Sequence, residues 1–378
     1  MQFEFATAGR IIFGPGAVRE LAPASRSFGK RALQVTGRSP ERAAAIAGFD
    51  SIFFSVPEEP SIDLVRRAVQ TARAELCDHV IAVGGGSVID AGKAVAALLT
   101  NPGDPLDYLE VIGQGKPLAA PSAPCIAVPT TAGTGSEVTR NAVLASPEHK
   151  VKASLRSPHM LPRLAVVDPD LTLDLPPALT ASTGLDALTQ LIEPFVSVRA
   201  NPMTDLFCLE GIRRAAGSLR RAFLNGLDAE ARCNMAFASL LGGLALANAG
   251  LGAVHGFAAP IGGMFPAPHG AVCAALLPAV IEVNVRALRS RDPGSDRLRR
   301  YETIACILTG KPSAAAEDAA SWTAGLCSEL SIPPLRAYGI SERDGPILVQ
   351  KAAAASSMRG NPLPLSGGEM CEILLRSL

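Results

Sequence analysis

The run Val80-Ile81-Ala82-Val83-Gly84-Gly85-Gly86-Ser87-Val88-Ile89-Asp90-Ala91-Gly92-Lys93 constrains the fold most. An apolar β-branched segment breaks into three glycines and resumes as an Ala-rich helical pattern. The pattern predicts a strand, a tight turn and a helix start. Consecutive residues without Cβ let backbone N–H groups approach a ligand closely, and the helix that follows offers its positive dipole end to an anion. Gly84, Gly85, Gly86 and Ser87, with Asp90 a turn further on, are therefore expected around a pyrophosphate. The run is not the G-x-G-x-x-G fingerprint, and glycine-rich turns of this kind also occur without ligands.

A second apolar strand, Ile126-Ala127-Val128-Pro129, runs into Thr130-Thr131-Ala132-Gly133-Thr134-Gly135-Ser136. Thr130, Thr131, Thr134 and Ser136 can donate to phosphate, ribose or amide groups, whereas one such loop alone often satisfies only its own backbone. Two polar loops leaving the ends of apolar strands favour a ligand, because open parallel sheets bind beyond the carboxyl ends of their strands. A third strand, Leu33-Gln34-Val35-Thr36, runs into Gly37-Arg38-Ser39-Pro40 without an acid. A carboxylate there would accept from a ribose 2′-OH, and its absence beside an Arg suits a 2′-phosphate. Gly37 leaves room, Arg38 can pair with phosphate in bidentate fashion and Ser39 adds a hydroxyl. NADP, or use of both NADP and NAD, is therefore expected.

Farther along, Asp186 and Gln190 stand at i and i+4 and share one helix face. His255 and His269 follow in a segment, Cys233 to Ile281, that holds no Asp, Glu, Lys or Arg. The chain has five histidines in all, so two in its most apolar stretch need a reason. Hydrogen-bonded core histidines are the plain explanation. With an Asp and an amide on one helix face, the pair also reads as a metal site of mixed N and O donors.

The charge-free stretch is long enough to span a bilayer, but Pro260, Pro266, Pro268 and Pro278, many glycines and two asparagines favour buried helices around a site. Lys plus Arg and Asp plus Glu number 35 each, so no net field favours nucleic acid or an anionic membrane. The eight cysteines show no CxxC or framework spacing and read as reduced core thiols. The opening Met1-Gln2-Phe3-Glu4-Phe5 lacks a secretory pattern, which points to the cytoplasm.

Short β-branched runs alternate with helical segments up to Pro177, which predicts an α/β domain with a mostly parallel sheet over residues 1–177. Residues 178–378 read as helical almost throughout, with apolar residues at helical spacing over 202–215 and 229–247. The charged stretch 289–300, with Pro293-Gly294-Ser295, reads as a surface loop.

Taken together, Arg10-Ile11-Ile12-Phe13-Gly14-Pro15-Gly16-Ala17, the Gly84 turn, the Pro129 loop, the Asp186 helix and the His255/His269 segment resemble the iron-containing, group III alcohol dehydrogenase family. The resemblance spans essentially the whole chain. It implies an NAD(P)-binding α/β domain and an all-α C-terminal domain, the architecture shared with dehydroquinate synthase. It also implies a divalent metal, Fe(II) or Zn(II), in the cleft between them, and a homodimer. Asp186, His255 and His269 match metal-ligand positions, and Lys152 matches a cofactor contact; Lys93 is a further candidate. The family pattern usually has His where this chain has Gln190, and a further His where it has Ala259. A glutamine oxygen is a neutral, weaker donor to Fe(II) or Zn(II), so the metal is expected to be held less tightly. Loss of the second His removes a proton-relay candidate.

The implied reaction moves a hydride between NAD(P)(H) and a primary alcohol or aldehyde, with the metal polarising the substrate oxygen. Phe257, Met264 and Phe265 near the histidines suggest a small or medium apolar substrate. Rival readings are a maleylacetate reductase, whose turn and hydroxyl loop differ from those here, a dehydroquinate-synthase-like lyase, which needs more basic residues, and a metal-poor nucleotide-binding protein without turnover.

Overall fold

The computed structural model describes residues 2–38 and 49–378; Ser39, expected at the cofactor, lies outside the described residues. The chain forms two compact units, Ala6–Leu173, and Asp174–Leu378 with Met1–Phe5.

In the first unit the β-branched runs become one six-stranded parallel sheet of order β1-β8-β5-β4-β2-β3. Its strands are β1 (Ile11–Phe13), β2 (Ala32–Thr36), β3 (Ser51–Ser55), β4 (His79–Gly84), β5 (Cys125–Pro129) and β8 (Leu164–Val167). The four inner strands are buried along their whole length, whereas β1 and β3 at the edges are partly exposed. Unbroken apolar runs are what a parallel sheet covered on both faces requires. Alternation within β4 splits its side chains between two cores. Val80 and Ala82 pack with α2 (Ile62–Ala74) and α3 (Gly86–Thr100), and Ile81 and Val83 pack with Leu21 of α1 (Leu21–Phe28). A Cβ on Gly92 of α3 would lie 2.6 Å from Ala82 Cβ, so that glycine sets how closely the helix sits on the sheet.

Thr36 lies opposite Val83, and Gly84 opposite Pro129, so the carboxyl ends of β2, β4 and β5 stand side by side. The chain turns outward from β2 to β3 and resumes on the other side of β2 at β4, the switch point at which such sheets bind ligands.

An antiparallel hairpin, β6 (Asn141–Ser146) and β7 (Val151–Arg156), was not foreseen from the sequence. Its turn holds Lys150 at φ +49° and carries no Asn-Gly or Asp-Gly signal.

The second unit is helical: α5 (Pro177–Val196), α6 (Pro202–Leu224), α7 (Ala229–Ala249), α8 (Ala253–Met264), α9 (His269–Arg291), α10 (Asp296–Thr309), α11 (Ala316–Glu329), α12 (Gly345–Ala354) and α13 (Gly367–Ser377), with a short α4 (Pro105–Tyr108) back in the first unit. The expected surface loop over 289–300 shrinks to 292–295, because α9 runs to Arg291 and Ser295 caps α10 by accepting from Arg297 N. Its charges lie on helix faces instead: Arg289 pairs with Glu317, Arg291 with Glu369 and Arg300 with Asp205.

The charge-free stretch forms α7, α8 and the first half of α9. By length and composition α9 matches a membrane span, yet 78% of its apolar window is buried inside the protein. α7 and α8 meet at a 98° bend, where Gly250 takes φ +74°.

Glu137, beside Ser136 in the hydroxyl loop, is 2% exposed, and burial pushes its carboxyl up to about 7. Between pH 4.5, its ordinary value, and 7 the folded protein keeps a proton that the unfolded chain releases. Stability therefore falls as pH rises through this window, by about 3 kcal/mol in full. Glu137→Gln should gain on the parent by that order between pH 5 and pH 8 in denaturant titrations. A parent–variant difference independent of pH would mean that the folded protein holds Glu137 ionised.

Candidate functional site

In the α/β unit the predicted residues gather at the strand ends. Gly84 closes β4 and its carbonyl accepts from Thr130 N at 2.9 Å, which joins the two loops. The glycines serve separate purposes. A Cβ on Gly84 would meet Val88 at 2.6 Å and one on Gly86 would meet Thr134 at 2.7 Å, whereas Gly85 has Thr131 no nearer than 3.4 Å. α3 begins at Gly86, so its first N–H groups, Ser87 included, find no acceptor within the helix. Gly37 ends the neighbouring strand with Val88 4.0 Å from a built Cβ, and the exposed Arg38 donates from Nε to Pro57 O at 2.7 Å.

Three side chains expected to touch the cofactor are engaged within the protein. The Asp90 carboxylate accepts from Ser136 Oγ and from Val143 N. Lys93, a candidate contact to phosphate or nicotinamide ribose, is wholly buried: its ammonium donates to Ser136 O and Thr139 Oγ1, both at 2.9 Å, and lies 3.1 Å from Asp90. An apolar helix face hides a lysine only where its charge is paired and hydrogen-bonded; Asp90, three residues earlier on the same helix, supplies the charge, whereas the Ser136 and Thr139 acceptors lie far along the chain. Lys152, with 9% of its side chain exposed, pairs with Glu59.

In the helical unit Asp186, His255 and His269 come together. Asp186, on α5, is 1% exposed, and its Oδ1 receives no hydrogen bond. His255 Nε2 lies 3.4 Å from that oxygen and His269 Nε2 3.7 Å. His269 opens α9 and is partly exposed; a Cβ on Gly270 would fall 2.6 Å from Ser182 O, so glycine lets α9 close on α5. Gln190 is buried one turn after Asp186, and Ala259 is exposed one turn after His255. Phe257 is fully buried core, so it does not line an accessible pocket.

Two residues at this centre escaped the sequence reading. Glu193 extends the spacing of Asp186 and Gln190 by another turn on the same face of α5. Its Oε2 accepts from His255 Nδ1 and its Oε1 from Val254 N, each at 2.7 Å. Val254 belongs to the first turn of α8, which has no side-chain cap of its own; Glu193 and Asn361, which accepts from Ala253 N, supply it. With Nδ1 held by Glu193, the His255 ring is oriented so that Nε2 faces Asp186. The second is Cys273, four residues after His269 on α9, with Sγ 3.6 Å from His269 Nε2 and 3.8 Å from His255 Nε2. Donor atoms of Asp186, His255, His269 and Cys273 all lie within 4.8 Å of one another.

Burial raises the Asp186 carboxyl, but the two imidazoles outweigh it and hold it below its ordinary value. Burial works against a charged His255, yet Cys273, Asp186 and Glu193 lift its pKa well above the usual imidazole value. An acceptor-only oxygen buried without a hydrogen bond, faced by two imidazoles and a thiol, fits a divalent cation of the Fe(II) or Zn(II) kind.

The description "Iron-containing alcohol dehydrogenase" matches residues 8–169, and "Fe-containing alcohol dehydrogenase family, C-terminal" matches 180–378. The chain belongs to this family. It is 37% identical to a 1,3-propanediol dehydrogenase of Klebsiella pneumoniae, over 95% of each chain. It is 36% identical to a 4-hydroxybutyrate dehydrogenase of Cupriavidus necator, over 87% of this chain and 85% of the other. A crystal structure of a 1,3-propanediol oxidoreductase superposes with a TM-score of 0.92 at 34% identity, covering both chains fully. The chain is therefore an NAD(P)-dependent, metal-dependent alcohol oxidoreductase with the expected parallel-sheet and helical architecture.

Glu193→Gln keeps an acceptor for His255 but removes the charge that supports it. Residues behind a ligand typically cost 10–100-fold in metal affinity when changed, so roughly tenfold weaker retention is expected. Chelator competition measures it, and unchanged retention would show that Glu193 serves the α8 cap alone.

Proposed function

We propose that this dehydrogenase interconverts small primary alcohols and aldehydes with NADP(H), using one weakly held Fe(II) or Zn(II) ion, as a cytoplasmic homodimer. The observation that carries the metal reading is the buried Asp186 Oδ1, unbonded yet faced by His255 and His269. Asp186, His255 and His269 would hold the ion, and Gln190 can add only a neutral amide oxygen. When bound, the metal supplies Lewis acidity toward the substrate oxygen, and the nicotinamide accepts or gives the hydride.

The protein's own groups set the stage. Glu193 fixes the His255 tautomer, and Asp186 supplies buried negative charge that offsets a cation. Ala259 offers no proton acceptor, so the hydroxyl proton would have to leave through water, the cofactor ribose or another group. Gly84 through Ser87 and the Thr130, Thr131 and Thr134 loop would cradle the pyrophosphate, with Asp90 and Ser136 hydrogen-bonded to each other behind them, while Lys152 is paired with Glu59. At the end of β2, the exposed Arg38 guanidinium and the space at Gly37 support a 2′-phosphate there, which would compete with the exposed Glu58 carboxylate 3.8 Å from Arg38.

His269→Ala should lose the ion and most aldehyde-dependent NADPH oxidation while keeping nucleotide affinity. Elemental analysis decides: equal metal in parent and variant sinks the assignment, and a parent that oxidises NADPH with no aldehyde of a broad panel would be a binding protein. For the cofactor, Gly37→Asp should weaken NADPH and spare NADH. Arg38→Ala removes a charge-assisted pair worth ~1.5–3 kcal/mol and should raise the NADPH Kd roughly tenfold or more. Parent-like NADPH titrations for both variants would reverse the preference.

A further inference from the structure

The helical unit places a sulfur beside two imidazoles and a buried carboxylate. We propose that Cys273 Sγ, as the thiolate, is the fourth protein ligand of the metal, beside Asp186, His255 and His269. The proposal rests on the reading that Asp186, His255 and His269 bind that ion.

The donor spacings carry it. Zinc–ligand distances of about 2.3 Å for sulfur and about 2.0–2.2 Å for nitrogen and oxygen give tetrahedral edges of roughly 3.4 Å for N···O and 3.6 Å for N···S. The protein shows 3.4 and 3.7 Å from Asp186 Oδ1 to the two imidazole nitrogens, and 3.6 and 3.8 Å from Cys273 Sγ to the same nitrogens. The same separations also suit a thiol hydrogen-bonded to the two imidazoles, so the sulfur signal of the metal-loaded protein is what separates a ligand from a hydrogen-bond partner. His269 and Cys273 share one face of α9 at i and i+4, so one helix aims both donors at Asp186, whose inner oxygen is buried and unbonded. Coordination releases the thiol proton to solvent, and nothing is oxidised.

Two consequences follow for the metal. Aspartate and thiolate together balance a divalent charge inside a buried site, which the neutral Gln190 cannot do. A thiolate among imidazoles is also a softer donor set than the all-oxygen-and-nitrogen one, and it moves selectivity toward Zn(II) over Fe(II).

The test uses the full chain stripped of metal and reloaded with Co(II). The parent should show cobalt d–d bands and a thiolate-to-cobalt charge-transfer band in the near ultraviolet. Cys273→Ser should lose the charge-transfer band, keep the d–d bands, and hold Co(II) and Zn(II) at least about tenfold less tightly, since even a residue that only orients a ligand is worth 10–100-fold. Gln190→Ala should keep the charge-transfer band. X-ray absorption of the Zn(II)-loaded parent needs no variant and should find one sulfur at about 2.3 Å. Bound Co(II) with d–d bands but no sulfur signal would overturn the Cys273 assignment and leave the Asp186, His255 and His269 reading standing. No stoichiometric uptake by the parent in equilibrium dialysis would overturn both.

Discussion

The buried carboxylate of Glu193 holds the helical unit's centre together. One oxygen accepts from Val254 N and begins α8; the other accepts from His255 Nδ1 and aims its ring. Satisfying an orphan helix donor and orienting an imidazole are usually separate tasks for separate residues. Here one side chain does both, so the angle at which α8 leaves the 98° bend and the direction of His255 Nε2 are set together. A Cβ on Gly252 would come within 2.9 Å of the same carboxylate, which explains a glycine at the N-cap.

The α/β unit has a counterpart in the clasp of Lys93, Asp90 and Ser136. The ammonium and the carboxylate neutralise one another out of water, and the remaining hydrogen bonds tie α3 to the hydroxyl loop and to β6. A buried charge is tolerated only when paired and hydrogen-bonded, and this one meets both conditions. The helix that follows the Gly84 turn and the loop at Thr130 are thereby tied together at the strand ends.

What could be read from the sequence was whatever depends on local periodicity. Continuous apolar runs marked the inner strands, glycines marked the turn, and the i, i+4 pair of Asp186 and Gln190 marked a helix face pointing inward. The antiparallel hairpin went unseen because Lys150 adopts a left-handed backbone without a sequence signal, and the 289–300 segment looked like a loop because charges on exposed helix faces resemble charges in loops. Pairings distant in sequence were hidden altogether. Lys93 finds Ser136 and Lys152 finds Glu59 only through the fold, which is why both looked free. Glu193 and Cys273 were within reach of the same spacing rule that found Gln190, one turn further from Asp186 and one turn from His269.

The position of β1 beside β8 also fixes an order of events during synthesis. Asp168, just past β8, accepts from Gly16 N and Val18 N just past β1, across 152 residues of chain. At roughly 5–20 residues per second a ribosome leaves Ile11–Phe13 without its neighbour for about ten to thirty seconds. An unpaired strand is a template for other chains, and a strand of three residues is a poor one. The shortness of β1 thus shields the nascent chain until the sheet can close.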